Sequence, residues 1–440
     1  MKFYFKSIFL FLFITGIAFS QYSSNDSLTV DQAVHMVLQN NPAIQSAIHS
    51  IDASKARVEE SKSSLYPEAG ISLNYTRLGP VASISFPGFG NFDLFPADNF
   101  DEHIGVSATI YDFDKRQKNV DLALTKVQSF KDKLELVKQG LAYRTIQTFY
   151  TILFLQRSIA VQNEAINTLK EHLNITKKKV EAGTATNFDV LTTNVRVSAA
   201  EEEKINLQNS LANAEITLKQ LTGLPQNANI ELSGDFTENA AVYNVDSLTN
   251  AAMQNRFEIK AANDQIATET AQYNVVSAIN NPTVSIAASY GVKNGYVPDL
   301  NLWHGNYVAA LQVDVPLSGV IPYFGGYREQ SMHEESAANL HAAESFKNDI
   351  LLQVRSDVQK GVTDLQSSME RYNTTDAAVH QAESALELAK IRYEAGTVTN
   401  LDLLDAETSL SQAKLMRLQA LYKYVIGRYE LLQAVGEKVW

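Results

Sequence analysis

The chain has 440 residues, 45% of them hydrophobic and 20% charged, with only 20 Gly and 10 Pro. So few turn-forming residues over such a length demand long uninterrupted elements rather than a string of small globular domains. Asp and Glu (49) outnumber Lys and Arg (37), a net charge of −12, which is not the basic footprint of nucleic-acid binding, and no cysteine is present for a disulfide or a lipid anchor.

Residues 1–20 read as a secretory signal peptide. Lys2 and Lys6 precede an almost unbroken apolar run from Ile8 to Phe19, and Ala18-Phe19-Ser20 offers a small-x-small cleavage site before Gln21. The run falls short of the ~20 apolar residues of a spanning helix. Its removal takes away two lysines and no acid, so the mature chain is more acidic still. No later segment is apolar for long enough to cross a membrane as a helix, so any membrane entry must use β-strands.

Residues 21–223 form a first structural repeat. A helix over about 29–65 ends near Pro67, and strands follow at 69–76 and 104–110. A long helix is expected over about 115–181, where Val120, Leu124, Val127, Leu134, Val137 and Leu141 keep three- and four-residue spacing. At 1.5 Å per residue it is about 100 Å long, beyond the size of a globular domain. A tight turn then leads into a shorter helix ending at Gly223. Residues 224–245, with Pro225, Asn227, Asn229, Gly234 and Asp235, are polar and turn-rich and read as a linker.

Residues 246–440 repeat the layout as a second structural repeat: a helix over about 246–280, strands at 284–291 and 307–315, a long helix, a turn and a last helix. The two halves share wording as well as order. Residues 181–191 (EAGTATNFDVL) and 394–404 (EAGTVTNLDLL) agree at eight of eleven positions at an offset of 213. Residues 66–75 and 281–290 align at an offset of 215, each with proline second and tyrosine last. Two matches in one order at nearly one offset indicate duplication.

All four strand segments alternate. Ile71, Leu73 and Tyr75 interleave with Gly70, Ser72 and Asn74, and Ile286 and Tyr290 with Ser285, Ala287 and Ser289. A half-buried soluble sheet has the same pattern, but no other segment is available to cover these apolar faces, so lipid is the expected cover. Open sheet edges are not tolerated in lipid, and four strands are too few for a membrane barrel, so the barrel must be shared between chains. The loops 78–101 and 293–305 would be external. Their aromatics (Phe86, Phe92, Phe95, Tyr296, Trp303) suit interface anchors, loop packing or partner contacts alike.

Leader, duplicated helix–strand–strand–helix–helix halves and paired A-G-T-x-T-x-x-D turns together resemble the TolC family of outer-membrane efflux and secretion ducts. The resemblance spans essentially the whole mature chain. It implies a mainly α fold with a small β part: a homotrimer whose four strands per chain close a twelve-stranded transmembrane barrel above an α-helical periplasmic barrel. It also implies a periplasmic adaptor (membrane fusion) protein and an inner-membrane pump as partners, and no cofactor.

The paired turns lie at the periplasmic tip in this reading. Gly183 and Gly396 stand where helix-ending glycines belong, and Thr186-x-x-Asp189 and Thr399-x-x-Asp402 fit capping boxes opening the next helices. With Thr184 and Thr397, the two glycines form the expected adaptor-docking surface. Asp189 and Asp402 suit either local capping or a role at the entrance. Asp405, a turn further in where the first copy has Thr192, shares a helix face with Asp402. The resemblance places Asp402 and Asp405 around the tunnel entrance, with Tyr393 and Asp189 at latch positions. It also expects a latching arginine where this chain has Val398.

An enzyme is not expected. His333-Glu-Glu…His341 lacks the H-E-x-x-H zinc spacing, and no metal site, phosphate loop or nucleophile elbow occurs. The competing reading is a periplasmic coiled-coil scaffold or adaptor without a membrane barrel.

Overall fold

The computed structural model describes residues 27–88, 90–236, 243–317 and 326–440; the expected leader lies outside them. Eight helices and six strands are described, and the helices dominate. α1 (Val30–Asn40) and α2 (Pro42–Ser63) precede β1 (Glu68–Arg77), β2 (Ser83–Phe86), β3 (Gly90–Asp93) and β4 (Asp98–Tyr111). α3 (Lys115–Glu181) and α4 (Asn187–Thr222) complete the first half. α5 (Val245–Asn255), α6 (Phe257–Ser277), β5 (Thr283–Lys293), β6 (His304–Asp314), α7 (Gly326–Glu394) and α8 (Asn400–Val435) make the second.

α3 has 67 residues and α7 has 69, about 100 Å each. Each is too long for one partner. α2 and α6 flank α3 near the sheet, while α4 and α8 flank it toward the far end. The leading helix of each half, expected as one, is two. Pro42 has no N–H to give and holds Asn41 extended (φ −70°, ψ 126°), so α1 stops there. The Asn41 side chain then caps α2 by accepting from the Ala43 N–H at 3.0 Å. The second break, at Arg256, has no proline. There the guanidinium bonds Glu258 and Asp357, and the end of α8 presses close. A Cβ on Gly436 would stand 2.7 Å from the Arg256 nitrogen.

The main core sits midway along the helices. Phe149, Ile146 and Ile152 of α3 meet Leu218, Leu365, Tyr424 and Leu431, all buried. The segment expected as a linker contributes to it. Leu232 pairs with Leu28 in a parallel bridge, and Ile230 and Phe236 lie against the cluster. Gly234 leaves room for Phe149 and Leu153, which a Cβ would meet at 3.2 and 3.1 Å.

β1, β4, β5 and β6 form one antiparallel sheet in that order. The register places Ile71, Ile104, Tyr290 and Tyr307 in one row, and Ala108, Ile286 and Leu311 on the same face. All but Ala108 are exposed: Ile71 is 73% accessible, Tyr307 80% and Leu311 69%. The opposite face carries Gly70, Ser72, Gly105, Ser107, Ala287, Ser289 and Gly291. Two rows further toward the loops, the rings of Tyr75, Phe100 and Trp303 follow one another at 5.0 and 5.2 Å, so Trp303 extends the apolar face. Such a row matches the aromatic girdles of membrane barrels. The loop 78–101 also holds an unforeseen hairpin, β2–β3, whose Phe86 and Phe92 pack edge to face. No helix among the described residues is long and apolar enough to cross a membrane.

Gly291 sets how closely β4 and β5 approach, since a Cβ there would lie 2.1 Å from the Glu102 carbonyl oxygen. Gly291→Val is therefore expected to cost at least about 1–3 kcal/mol, the usual penalty for overpacking, and to break the sheet locally. Recovery of the variant as folded protein at the parent's level would contradict this.

Candidate functional site at the helical tip

The end of the molecule farthest from the sheet consists of two matching turns. α3 ends at Gly183 (φ 75°) and α7 at Gly396 (φ 74°), both left-handed. In each, the next threonine closes the helix. The Thr184 N–H donates to the Lys179 carbonyl at 2.8 Å and the Thr397 N–H to the Arg392 carbonyl at 2.9 Å. Nothing lies within 4 Å of where a Cβ would stand on either glycine, so both turns are open surface.

Both expected capping boxes form. Thr186 N–H and Oγ1 donate to Asp189 Oδ2 at 2.9 and 2.7 Å, while Thr399 N–H and Oγ1 donate to Asp402 Oδ2 at 2.7 and 2.6 Å. The Thr399 hydroxyl and N–H hold the Asp402 carboxyl below the ordinary carboxylate range. Capping therefore does not distinguish the two aspartates. Asp405 is capped by nothing but is paired, with Arg196 Nη2 of α4 at 3.2 Å. Both ends of that pair are well exposed, so it contributes little to stability, at most about 1 kcal/mol.

Tyr393 is buried within this chain. Lys179 of α3 covers its ring at 3.7 Å and donates to its carbonyl at 2.9 Å. Its hydroxyl donates to Asn400 Oδ1 at 3.4 Å, not to the Asp189 carboxylate. Val398 packs in an apolar cluster with Leu386, Tyr393 and Leu403.

Asn400, which drew no attention in the sequence, is the hub of this region. Its Oδ1 faces His172 Nε2 at 2.7 Å, Tyr393 Oη and Thr176 Oγ1 at 3.4 Å. Its Nδ2 donates to the Asp189 carbonyl at 3.4 Å and Thr193 Oγ1 at 3.3 Å. Helices α3, α4, α7 and α8 all contribute, and Asn400, His172, Thr176 and Thr193 are all buried. Asn400 Oδ1 can only accept, so His172 carries its proton on Nε2 and turns a bare Nδ1 toward Glu407 Oε1, 4.0 Å away. Glu407 is buried with its other oxygen unpartnered. Burial pushes its carboxyl up to about 7, and Lys390 partly offsets this; burial also pushes the His172 imidazole down. The only sequence signal for this hub is Asn187, the same residue at the equivalent place in the first copy. Asn187 is exposed, so periodicity alone could not separate the two.

Long hairpins, a half-apolar sheet and paired capped turns define a membrane duct. The model of the family described as "Outer membrane efflux protein" matches residues 33–224 and 248–437. The chain belongs to that family. It is 23% identical to the outer membrane protein TolC of Vibrio cholerae, over 90% of this chain and 88% of the relative. It is likewise 23% identical to the alkaline protease secretion protein AprF of Pseudomonas aeruginosa, over 89% of this chain and 81% of the relative. Among solved structures, the outer membrane protein VceC of Vibrio cholerae shares the fold with a TM-score of 0.78 at 19% identity, covering 93% of this chain and 97% of that chain. The protein is an outer-membrane channel of the efflux or type I secretion kind, and the reading as a barrel-less scaffold or adaptor falls away.

Because Arg196 neutralises part of the Asp405 charge, Arg196→Ala should leave a more negative tip. In planar-bilayer recordings a trivalent cation added on the tip side is expected to block the variant at a lower concentration than the parent. Unchanged or weaker block would mean that Asp405 does not face the conducting path.

Proposed function

We propose that three copies form a homotrimer in the outer membrane, with most of the mass in the periplasm. Three sheets close one twelve-stranded barrel, and the helices continue it as a tunnel. In this reading residues 1–20 are cleaved after export, 21–223 and 246–440 are the structural repeats, and 224–245 joins them. The observation that carries the assembly is a contrast between equivalent positions. Leu404 of α8 is fully buried in a cluster with Leu169 and Val197 of the first hairpin. Its counterpart Leu191 on α4 is 65% exposed, beside bare Phe188 and Val195. The surface that would cover α4 as α3 covers α8 is the second hairpin of another copy. The unpaired edges of β1 and β6 make the same demand. A trimer mass is expected in detergent, and a monomer with intact helical circular dichroism would contradict the shared barrel.

The duct is passive and opens at its periplasmic tip. Asp402 and Asp405 from each chain ring the entrance, with Asp189 and Tyr393 at the closure. The open turns at Gly183, Thr184, Gly396 and Thr397 dock a periplasmic adaptor, which links the duct to an inner-membrane pump. Membership of an efflux family and kinship with a protease secretion protein support small molecules or polypeptides as cargo. Replacing Asp402 and Asp405 with asparagine keeps size and hydrogen bonding while removing charge. It should abolish block by multivalent cations from the tip side and weaken cation selectivity, with trimer stability nearly unchanged. A doubly substituted channel blocked as tightly as the parent would overturn the entrance assignment. A β-branched residue at Gly183 or Gly396 meets no neighbour but must adopt positive φ, so export should fall more than trimer yield. Normal export by the double variant at normal protein level would remove the docking role.

A further inference from the structure

We propose that Asn400 is the positioning residue that latches the tip shut, and that Glu407 releases this latch when it loses its proton. The proposal rests on the reading of the tip as the gate. Opening a duct at the tip requires the α7–α8 hairpin to move against the α3–α4 hairpin, because each turn belongs to one of them. Asn400 stands on α8 and bonds both opposing helices: His172 at 2.7 Å on α3, and Thr193 Oγ1 at 3.3 Å and the Asp189 carbonyl at 3.4 Å on α4. It also takes the Tyr393 hydroxyl of α7, so one amide serves all four helices.

The latch consists of neutral groups. Val398 stands where the family resemblance expects a cation in this turn, and the Arg196–Asp405 ion pair across the hairpins is open to solvent. Separating the hairpins strands the His172 and Thr193 polar groups unless water enters, and a buried polar group left without its partner is costly. Salt screens surface pairs but hardly affects such a buried network. Closure should therefore be insensitive to ionic strength.

Glu407 supplies the release. It lines a cavity of 290 Å³ between the four helices, where Leu169, Leu386 and Leu410 alternate with polar side chains such as Gln162, Thr168 and Ser411. A carboxylate formed there, with one oxygen buried and unpartnered, draws water to itself and forces the hairpins apart. The groups around it offset that charge only in part. On α3, His172 is neutral and Glu164 is paired with Lys414 of α8, while Lys179 is engaged on Tyr393. On α4, Arg196 is turned to Asp405 and Glu203 adds a like charge at the cavity rim. On α7, only Lys390 favours the charged form. The Glu407 carboxyl, raised to about 7 from an ordinary 4.5, contributes fully to closure below 4.5 and has lost that contribution once pH has risen through 7. His172, depressed below 6.5, favours closure at higher pH and loses that contribution as pH falls through its lowered value. The two work in opposite directions, so removing Glu407 is what isolates its part.

The test is single-channel recording of the intact trimer in planar bilayers at pH 5, 6 and 8, at low and high KCl. At each pH the parent's open probability should be the same at both salt concentrations. Asn400→Leu, of similar volume, should raise the open probability at every pH about tenfold or more. Glu407→Gln should lie close to the parent at pH 5 and open at least about tenfold less often than the parent at pH 8. Parental behaviour of Asn400→Leu, or a parental open probability of Glu407→Gln at pH 8, overturns the proposal. Glu407→Gln is isosteric, so its profile decides the matter even if Asn400→Leu fails to assemble. If Asp402 and Asp405 govern cation block while these variants behave as the parent, the latch alone is wrong. If the doubly substituted aspartate channel is blocked like the parent, the gate reading itself has failed.

Discussion

Backbone hydrogen bonding in a medium without water governs this architecture. A strand edge in hydrocarbon leaves N–H and C=O groups that cost several kcal/mol each, so a sheet there must close on itself. Four strands cannot do so, and β1 and β6 are left as edges. Every chain thus enters the membrane only as part of an assembly. That requirement reaches down the helices, because a barrel shared between copies fixes how their hairpins meet. It accounts for the bare stripe of Phe188, Leu191 and Val195 on α4, which would otherwise be an unusual apolar surface.

The duplication solves the problem of length. A helix of about 100 Å offers more surface than one partner can cover, and two shorter helices laid end to end divide the task. Where they meet, the chain must break and return without exposing polar groups. Asn41 does this with its own side chain, bonding the Ala43 N–H and the Leu221 carbonyl of α4. Arg256 does it through carboxylates, on the equivalent site of the second half. The helix-ending glycines, Gly223 and Gly436, lie against the two breaks and bind each half into a unit. The shared core around Phe149 then joins the halves, with residues 224–236 folded across it.

Features that depend on local chemistry were legible in the sequence. Strand alternation predicted both faces of the sheet, since a two-residue period survives any arrangement of neighbours. The turn glycines and capping boxes form as read, because φ and cap geometry are settled within a few residues. The ends of α3 at 115 and 181 also match. What escaped the sequence depends on distant residues. Asn40-Asn41-Pro42 does carry a break signal, but it was masked by apolar spacing that runs on through Ile44 and Ile51. Arg256 carries no such signal, since its break is imposed by Asp357 and the end of α8. The Arg196–Asp405 pair spans 209 positions and the His172–Asn400 pair 228, so neither could be seen without the fold.

Asn400 shows how a duplicated sequence comes to do two jobs with one motif. The two copies place the same asparagine after the same threonine, with the same capping bonds on either side. Only their surroundings differ. α8 lies against a hairpin of its own chain, which buries Asn400 among His172, Thr176 and Thr193. α4 has no such neighbour within the chain, and Asn187 faces outward. At the same offset, the positions equivalent to His172, Thr176 and Thr193 are Ala385, Ala389 and Ala406. Alanine offers no side-chain donor or acceptor, so these positions cannot rebuild the same network around Asn187. The two tip contacts of each hairpin therefore differ in chemistry: a buried polar knot inside the chain, and an apolar stripe offered to the next. Contacts of such different kinds respond to different conditions. An apolar face is indifferent to pH, whereas the knot, with Glu407 and His172 both buried beside it, is not. In the proposed trimer, divergence after duplication thus places the buried titratable groups in the contact within each chain and leaves the contact between chains to hydrophobic burial.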